Sequence, residues 1–135
     1  MSAAENKAMM TQIYAELAKG NSRPFVEGLA DDVRWTITGT TKWSRTYEGK
    51  EAVLKELLGP LRSQFAEPYR ATAERIIAEG DYVVAEVRGY VTTKAGKVYN
   101  NSYCFVLRLA DGKVRELTEY LDTELVSAAL GDPGT

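Results

Sequence analysis

At 135 residues, 44% hydrophobic and 27% charged, the chain has the make-up of one globular domain with a single core. A net charge of −2 supplies no basic face for nucleic acid, and no apolar run approaches the roughly 18 residues that a membrane-spanning helix needs. The absence of histidine removes Ser-His-Asp and Cys-His nucleophilic catalysis and histidine-based zinc or iron sites, and the lone Cys104 leaves no intrachain disulfide.

The opening MSAAENKAMM lacks the basic-then-apolar pattern of a secretory signal, so a cytoplasmic protein is expected. From Glu5 to Lys19 the residues Met9, Met10, Ile13, Tyr14 and Leu17 recur at helical spacing, and Gly20-Asn21 ends that helix. Ser22 is placed to cap a short second helix with Pro24 in its first turn and Phe25 and Leu29 facing inward. Asp31-Asp32 leads into a strand with Val33, Trp35 and Ile37 on one face. Thr38 to Tyr47 is polar and turn-rich, a surface loop in which Trp43 acts as a lid or a partner contact. Gly49 to Arg62 reads as a third helix carrying Val53, Leu54, Leu57, Leu58 and Leu61, kinked or frayed at Gly59-Pro60.

Pro68 opens a run of strands, Tyr69–Ala78, Tyr82–Thr92, Tyr99–Leu109 and Val114–Asp122, joined at Glu79-Gly80-Asp81, Ala95-Gly96-Lys97 and Ala110-Asp111-Gly112. A last helix, Thr123 to Leu130, has Asp122 as its N-cap, and GDPGT (131–135) reads as a disordered tail, so the domain is 1–130. This order predicts an α+β fold: a long, curved antiparallel sheet with helices on its concave side, and a cavity where the layers diverge.

The C-terminal hairpin carries the chemistry. Its inward set by alternation is Tyr99, Asn101, Tyr103, Phe105, Leu107 and Leu109, then Leu117, Glu119 and Leu121 on the return. An amide and a carboxylate on an apolar face suggest a pocket with a few placed polar groups; the alternative is a sheet margin where both reach water. The expected lining is Tyr14, Trp35, Asn101, Tyr103, Phe105, Leu117 and Glu119, with Leu121 beside it. Tyr14 has a second reading, as a core tyrosine on an amphipathic helix. Between Leu117 and Leu121 the Glu119 carboxyl should titrate high by desolvation, fit for proton transfer, while Asn101 or Tyr14 holds a carbonyl oxygen.

The outward residues read differently. Cys104 is expected to be a packed, inert thiol, and Glu86, Arg88 and Tyr90 lie opposite the apolar set Val83, Ala85, Val87, Gly89 and Val91. Gly39, Gly49 and Gly59 make no phosphate loop. The outward face of Ser102, Cys104, Val106, Thr118 and Tyr120 is too apolar for a solvated sheet, which predicts a homodimer through it.

The stretches GNSRPFVEGLADDVRWTITG, YEGKEAVLKEL and ADGKVRELTEYLDTELV resemble the SnoaL-like branch of the nuclear transport factor 2-like (NTF2-like) superfamily, over about the whole chain. That superfamily includes ketosteroid isomerases, polyketide cyclases and limonene epoxide hydrolases. The resemblance implies a cone-shaped α+β barrel, usually homodimeric through the convex sheet face. Tyr14, ahead of the helix-ending Gly20, matches the oxyanion-hole tyrosine of the isomerases, but WTITG has no base and Phe105 stands near where their protonated aspartate does. Glu119 matches the last carboxylate of the epoxide hydrolases, whose Arg-x-Asp pair finds only the inverted Glu86-x-Arg88. Cyclase-like members need a hydrophobic cavity and one acid/base group.

The expected function is therefore a cofactor-independent lyase, isomerase or cyclase acting on a small apolar carbonyl compound, with Glu119 as acid/base and no metal or cofactor. The alternatives are a non-catalytic ligand-binding dimeric domain and a limonene-type epoxide hydrolase. The expected partners are a small apolar ligand and a second copy of the chain, with no nucleic acid and no membrane.

Overall fold

The computed structural model describes residues 1–133, and residues 134–135 of the expected tail lie outside it. Helix α1 (Ala3–Leu17) starts before its apolar periodicity does, because Ser2 and Glu5 form a reciprocal cap: Glu5 N donates to Ser2 Oγ and Ser2 N to Glu5 Oε1. It buries Met10, Ile13, Tyr14 and Leu17 and stops where Gly20 takes φ +87°, a conformation that costs glycine little. Helix α2 (Arg23–Glu27) begins after Ser22, whose hydroxyl makes no bond to the helix.

Six strands form one sheet in the order β2-β1-β6-β5-β4-β3. They are β1 (Leu29–Ile37), β2 (Thr46–Glu48), β3 (Arg70–Glu79), β4 (Tyr82–Tyr90), β5 (Ser102–Ala110) and β6 (Lys113–Leu121). The sheet curves but does not close, since β2 and β3 are its two edges. All neighbours are antiparallel except β1 and β6, which run parallel with Trp35 opposite Leu117 and Ile37 opposite Glu119. The hairpin between β5 and β6 turns on Asp111 (φ +53°) and Gly112 (φ +73°), the pair of positive φ values that matches strand twist.

The third helical region is continuous where a kink or fraying was expected. Helix α3 (Lys50–Ala52) runs into a π-helical turn, Val53–Leu58, and then into α4 (Gly59–Ser63). Pro60 has no N–H, and its ring crowds the carbonyl one α-turn back. Widening the preceding turn relieves that crowding and lets Gly59 N reach Leu54 O. A Cβ on Gly59 would stand 2.9 Å from that carbonyl oxygen, so glycine belongs there.

Two loop expectations are corrected. The segment Thr38 to Tyr47 is not wholly a surface loop: Thr46 and Tyr47 enter β2, and Trp43 is 3% exposed. Its indole Nε1 donates to Gly131 O at 2.9 Å, so Trp43 is a core residue and no lid. Within the expected tail, Gly131 N also donates to Gln64 Oε1 at 2.7 Å, and Asp132 accepts from Lys42 at 3.0 Å. Helix α5 (Thr123–Ala129) is capped by Asp122, whose Oδ1 accepts from Leu125 N.

The convex face is ordered in cross-strand rows. Ile77, Val84, Val106 and Thr118 lie side by side across four strands. Beside them Arg108, Glu116, Arg34 and Glu48 form a ladder of alternating charge, with contacts of 3.0 Å and 3.1 Å at its two ion pairs. Among the described residues, no helix is long and apolar enough to cross a membrane.

Candidate active site

The concave face, α1, α2 and α4 enclose a cavity of about 490 Å³. Its floor is buried and mostly aromatic: Tyr14 from α1, Phe25 from α2, Trp35 from β1, Tyr103 and Phe105 from β5, and Glu119 from β6. Strand alternation explains the last four, which share one face of adjacent strands. Tyr103 and Phe105 stack at 5.2 Å between centroids, and Tyr14 meets Phe25 edge-on at 5.9 Å. The mouth is more polar and more open, formed by Gly20, Ser22, Arg62, Ala66, Glu67 and Pro68.

Glu119 is 7% exposed, and its Oε1 accepts from Trp35 Nε1 at 2.8 Å. No donor among the described residues reaches Oε2, which is left to the cavity. Burial pushes the carboxyl from its ordinary 4.5 up to about 7, and the indole hydrogen bond works against that rise by favouring the anion. The group thus sits near the middle of its titration at neutral pH, the condition for moving protons both ways.

The Tyr14 hydroxyl is buried with no hydrogen-bond partner among the described residues. Burial first, then the neighbouring Tyr69 and Glu119, holds its pKa well above the usual tyrosine value. It stays a proton donor with nothing to donate to, on the wall of the cavity that Glu119 enters. A buried polar group in this state is expensive unless something fills the role of partner.

Three residues expected in the lining stand outside it. Asn101 is fully buried, but both its ends are spent elsewhere: Nδ2 donates to Tyr99 Oη (3.2 Å) and Asp122 O (3.1 Å), and Oδ1 accepts from Ser102 N (2.7 Å) and Asp122 N (3.1 Å). It ties the start of β5 to the junction of β6 and α5 and has no hydrogen-bonding capacity left for a ligand. Leu117 is 0% exposed and packs in the core under the sheet register with Trp35 and Leu107, while Leu121 is half-buried opposite Tyr103.

Other lining residues carried no expectation of a site. Tyr69, Phe65, Leu58 and Leu61 complete the wall, with Phe65 stacked on Tyr69 at 5.8 Å. Tyr69 occupies the space left by a missing side chain, since a Cβ on Gly89 would lie 2.3 Å from its hydroxyl. A glycine in the inward set of a strand is a signal of such a close approach.

Glu86 and Arg88 are on the other face of the sheet. Glu86 pairs with Arg75 at 2.5 Å, and Arg88 Nη1 donates to Ser102 Oγ at 3.3 Å. Cys104 is half-buried on that same side. Among the described residues no group of three or more His, Cys, Asp or Glu is arranged to hold a metal ion.

This arrangement matches a known family: the SnoaL-like domain covers residues 10–117. The chain belongs to the SnoaL-like family. Solved SnoaL-like and NTF2-like structures superpose along nearly its full length. An NTF2-like protein from Burkholderia xenovorans LB400 matches with TM-score 0.73 at 21% identity, covering 97% of this chain and 99% of its own. A candidate SnoaL-like polyketide cyclase from Jannaschia sp. CCS1 gives TM-score 0.76 at 19% identity, over 94% and 92%. TerC, co-crystallised with polyporic acid, gives 0.73 at 20% identity, over 88% and 92%. At these identities the likeness is one of fold. No curated protein sequence matches the chain.

Proposed function

We propose that this SnoaL-like protein is a cofactor-independent isomerase, lyase or cyclase that moves a proton on a small apolar carbonyl compound. One observation carries the reading: the desolvated carboxylate Glu119 lines an aromatic cavity together with Tyr14, whose buried hydroxyl has no hydrogen-bond partner among the described residues. Glu119 Oε2 takes the proton from the carbon next to the carbonyl. The C–H electron pair forms the enolate C=C bond as the carbonyl π pair moves to oxygen, where the Tyr14 hydroxyl donates a hydrogen bond. Glu119, now neutral, returns the proton to a different carbon or to the product of ring closure. Trp35 holds Oε1 throughout and so aims Oε2.

The epoxide-hydrolase alternative finds less support. It needs two carboxylates bridged by an arginine, and the Glu86–Arg88 segment faces away from the cavity. The reading is tested with acetylnaphthalene in deuterated buffer, following the methyl protons by NMR. Exchange above the buffer rate that disappears in Glu119→Gln is expected. Binding to the native protein without exchange would make the cavity a carrier site and end the catalytic reading.

A second copy of the chain is proposed to cover the convex face. The row Ile77, Val84, Val106 and Thr118 is flanked by Tyr82 and Tyr120, which are 47% and 51% exposed, an apolar patch of the kind that self-association buries. Light scattering at micromolar concentration should give twice the chain mass, and a monomer would count against it.

A further inference from the structure

We propose that the ligand of this cavity is an apolar carbonyl compound carrying a carboxylate, which Arg62 binds at the mouth while the carbonyl end reaches Glu119. The proposal rests on the catalytic reading above for the carbonyl end and adds the chemistry of the other end.

Arg62 differs from most of the other arginines, and unlike Arg70 and Arg88, which also lack a carboxylate partner among the described residues, it lines the cavity. Arg23, Arg34, Arg45, Arg75, Arg108 and Arg115 each pair with a carboxylate of the protein. Arg62 pairs with none among the described residues, and it is the arginine that lines the cavity. Among the described residues its guanidinium makes one hydrogen bond, to a neutral group: Nη2 donates to Ser22 Oγ at 3.1 Å. A guanidinium has five donors in a planar fork that fits a carboxylate with two parallel bonds, so most of its capacity is open.

Ser22 supports the assignment. It stands at the N-cap of α2, where a serine hydroxyl ordinarily accepts from the helix, yet this hydroxyl makes no capping bond. It accepts from Arg62 instead, across the mouth between α2 and α4, and so steadies an otherwise exposed side chain at the rim. The other charged rim residue, Glu67, is held by its bond from Thr92 N at 3.0 Å. A ligand carboxylate is repelled by Glu67 and drawn to Arg62. Below the rim the lining is apolar down to Glu119 and the tyrosines, and Arg62 is the one lysine or arginine among the residues that line the cavity; the Arg70 side chain runs beside the rim at Gly20 without entering the lining.

The shape of the ligand follows: an aromatic or alicyclic body, a carbonyl at the buried end and a carboxylate at the open end. The probes are 6-acetyl-2-naphthoate, an aryl methyl ketone with its carboxylate at the far end of the ring system, and its primary amide, which differs by the charge. Calorimetry at pH 8 should show the native protein binding the acid more tightly than the amide by about tenfold, the scale of a charge-assisted pair of hydrogen bonds. Arg62→Gln, a surface change whose folding is checked by circular dichroism, should erase that preference by weakening the acid alone. Ser22→Ala should weaken the acid by a smaller factor, and added salt should weaken the acid and spare the amide. Equal affinity for acid and amide, a preference that survives Arg62→Gln, or binding of neither probe would overturn the proposal. Proton exchange read on the same ketone is independent: its absence with the charge preference intact would overturn catalysis by Glu119 and leave Arg62 as the carboxylate anchor.

Discussion

Replacing Glu119 with glutamine should stabilise the protein at high pH and leave it unchanged at low pH. In the native state the carboxyl titrates near 7 against an ordinary 4.5, because its floor of aromatic rings offers little to a charge. Below pH 4.5 the group is protonated in both folded and unfolded chains and contributes nothing either way. Between 4.5 and 7 the unfolded chain releases the proton and the folded one keeps it, so stability falls as pH rises, and above 7 the loss is complete. At 1.36 kcal/mol per tenfold change in proton affinity, that loss amounts to about 3 kcal/mol. Glutamine has the same shape, its oxygen can still accept from Trp35 Nε1, and it carries no charge to desolvate. Urea unfolding followed by the fluorescence of Trp35 and Trp43 should therefore show the variant gaining up to about 3 kcal/mol at pH 8 and nothing at pH 4. The difference between the two proteins cancels every titration they share. A variant less stable than the native chain at pH 8, with the deficit vanishing at pH 4, would mean that Glu119 is held as a paired anion and would refute the reasoning.

The indole bond gives a second prediction: Trp35→Phe removes the donor to Oε1, so the base limb of the exchange profile should move up by roughly one pH unit. An unmoved limb would show that the bond does not stabilise the anion. Asn101→Ala should cost about 3 kcal/mol in urea unfolding, since it strips partners from Asp122 and Ser102, and should leave acetylnaphthalene affinity unchanged. Gly89→Ala should cost about 2 kcal/mol by displacing Tyr69, and Tyr69→Phe in the same chain should recover part of it. A Gly89→Ala protein of native stability would show that Tyr69 moves aside freely.

The floor of the cavity was legible because it depends on alternation. Tyr103, Phe105 and Glu119 point inward for the same reason that Leu107 and Leu109 do, and Trp35 follows from its own strand. Asp111-Gly112 fixed the hairpin register locally. Alternation could not say how far along the strand the cavity extends, and so it included Asn101, Leu117 and Leu121. Whether an inward amide meets a ligand or the backbone is decided by long-range neighbours, here Asp122. The strand β2 escaped notice because it is three residues long and gains its structure only by pairing with Arg34 to Thr36. The mouth escaped for a related reason: Ser22, Arg62 and Glu67 lie on separate elements, and only packing of α2 against α4 brings the first two together.

The parallel join between β1 and β6 sets a timetable. Trp35 and Glu119 are 84 positions apart, so their bond spans more than half of the 135-residue chain. A chain emerging from the ribosome has helices α1 to α4 and five of its six strands before the last strand arrives to sit between β1 and β5. Until then β1 has only the short β2 beside it, and the apolar inner surfaces have no floor to close on. The carboxylate is therefore installed by the same event that completes the sheet, a long loop closure that contact-order arguments place among the slow steps. Lesions in the last strand should be felt as failures of maturation and aggregation of nascent chains, whereas lesions at the rim should yield mature protein that has lost only its choice of ligand.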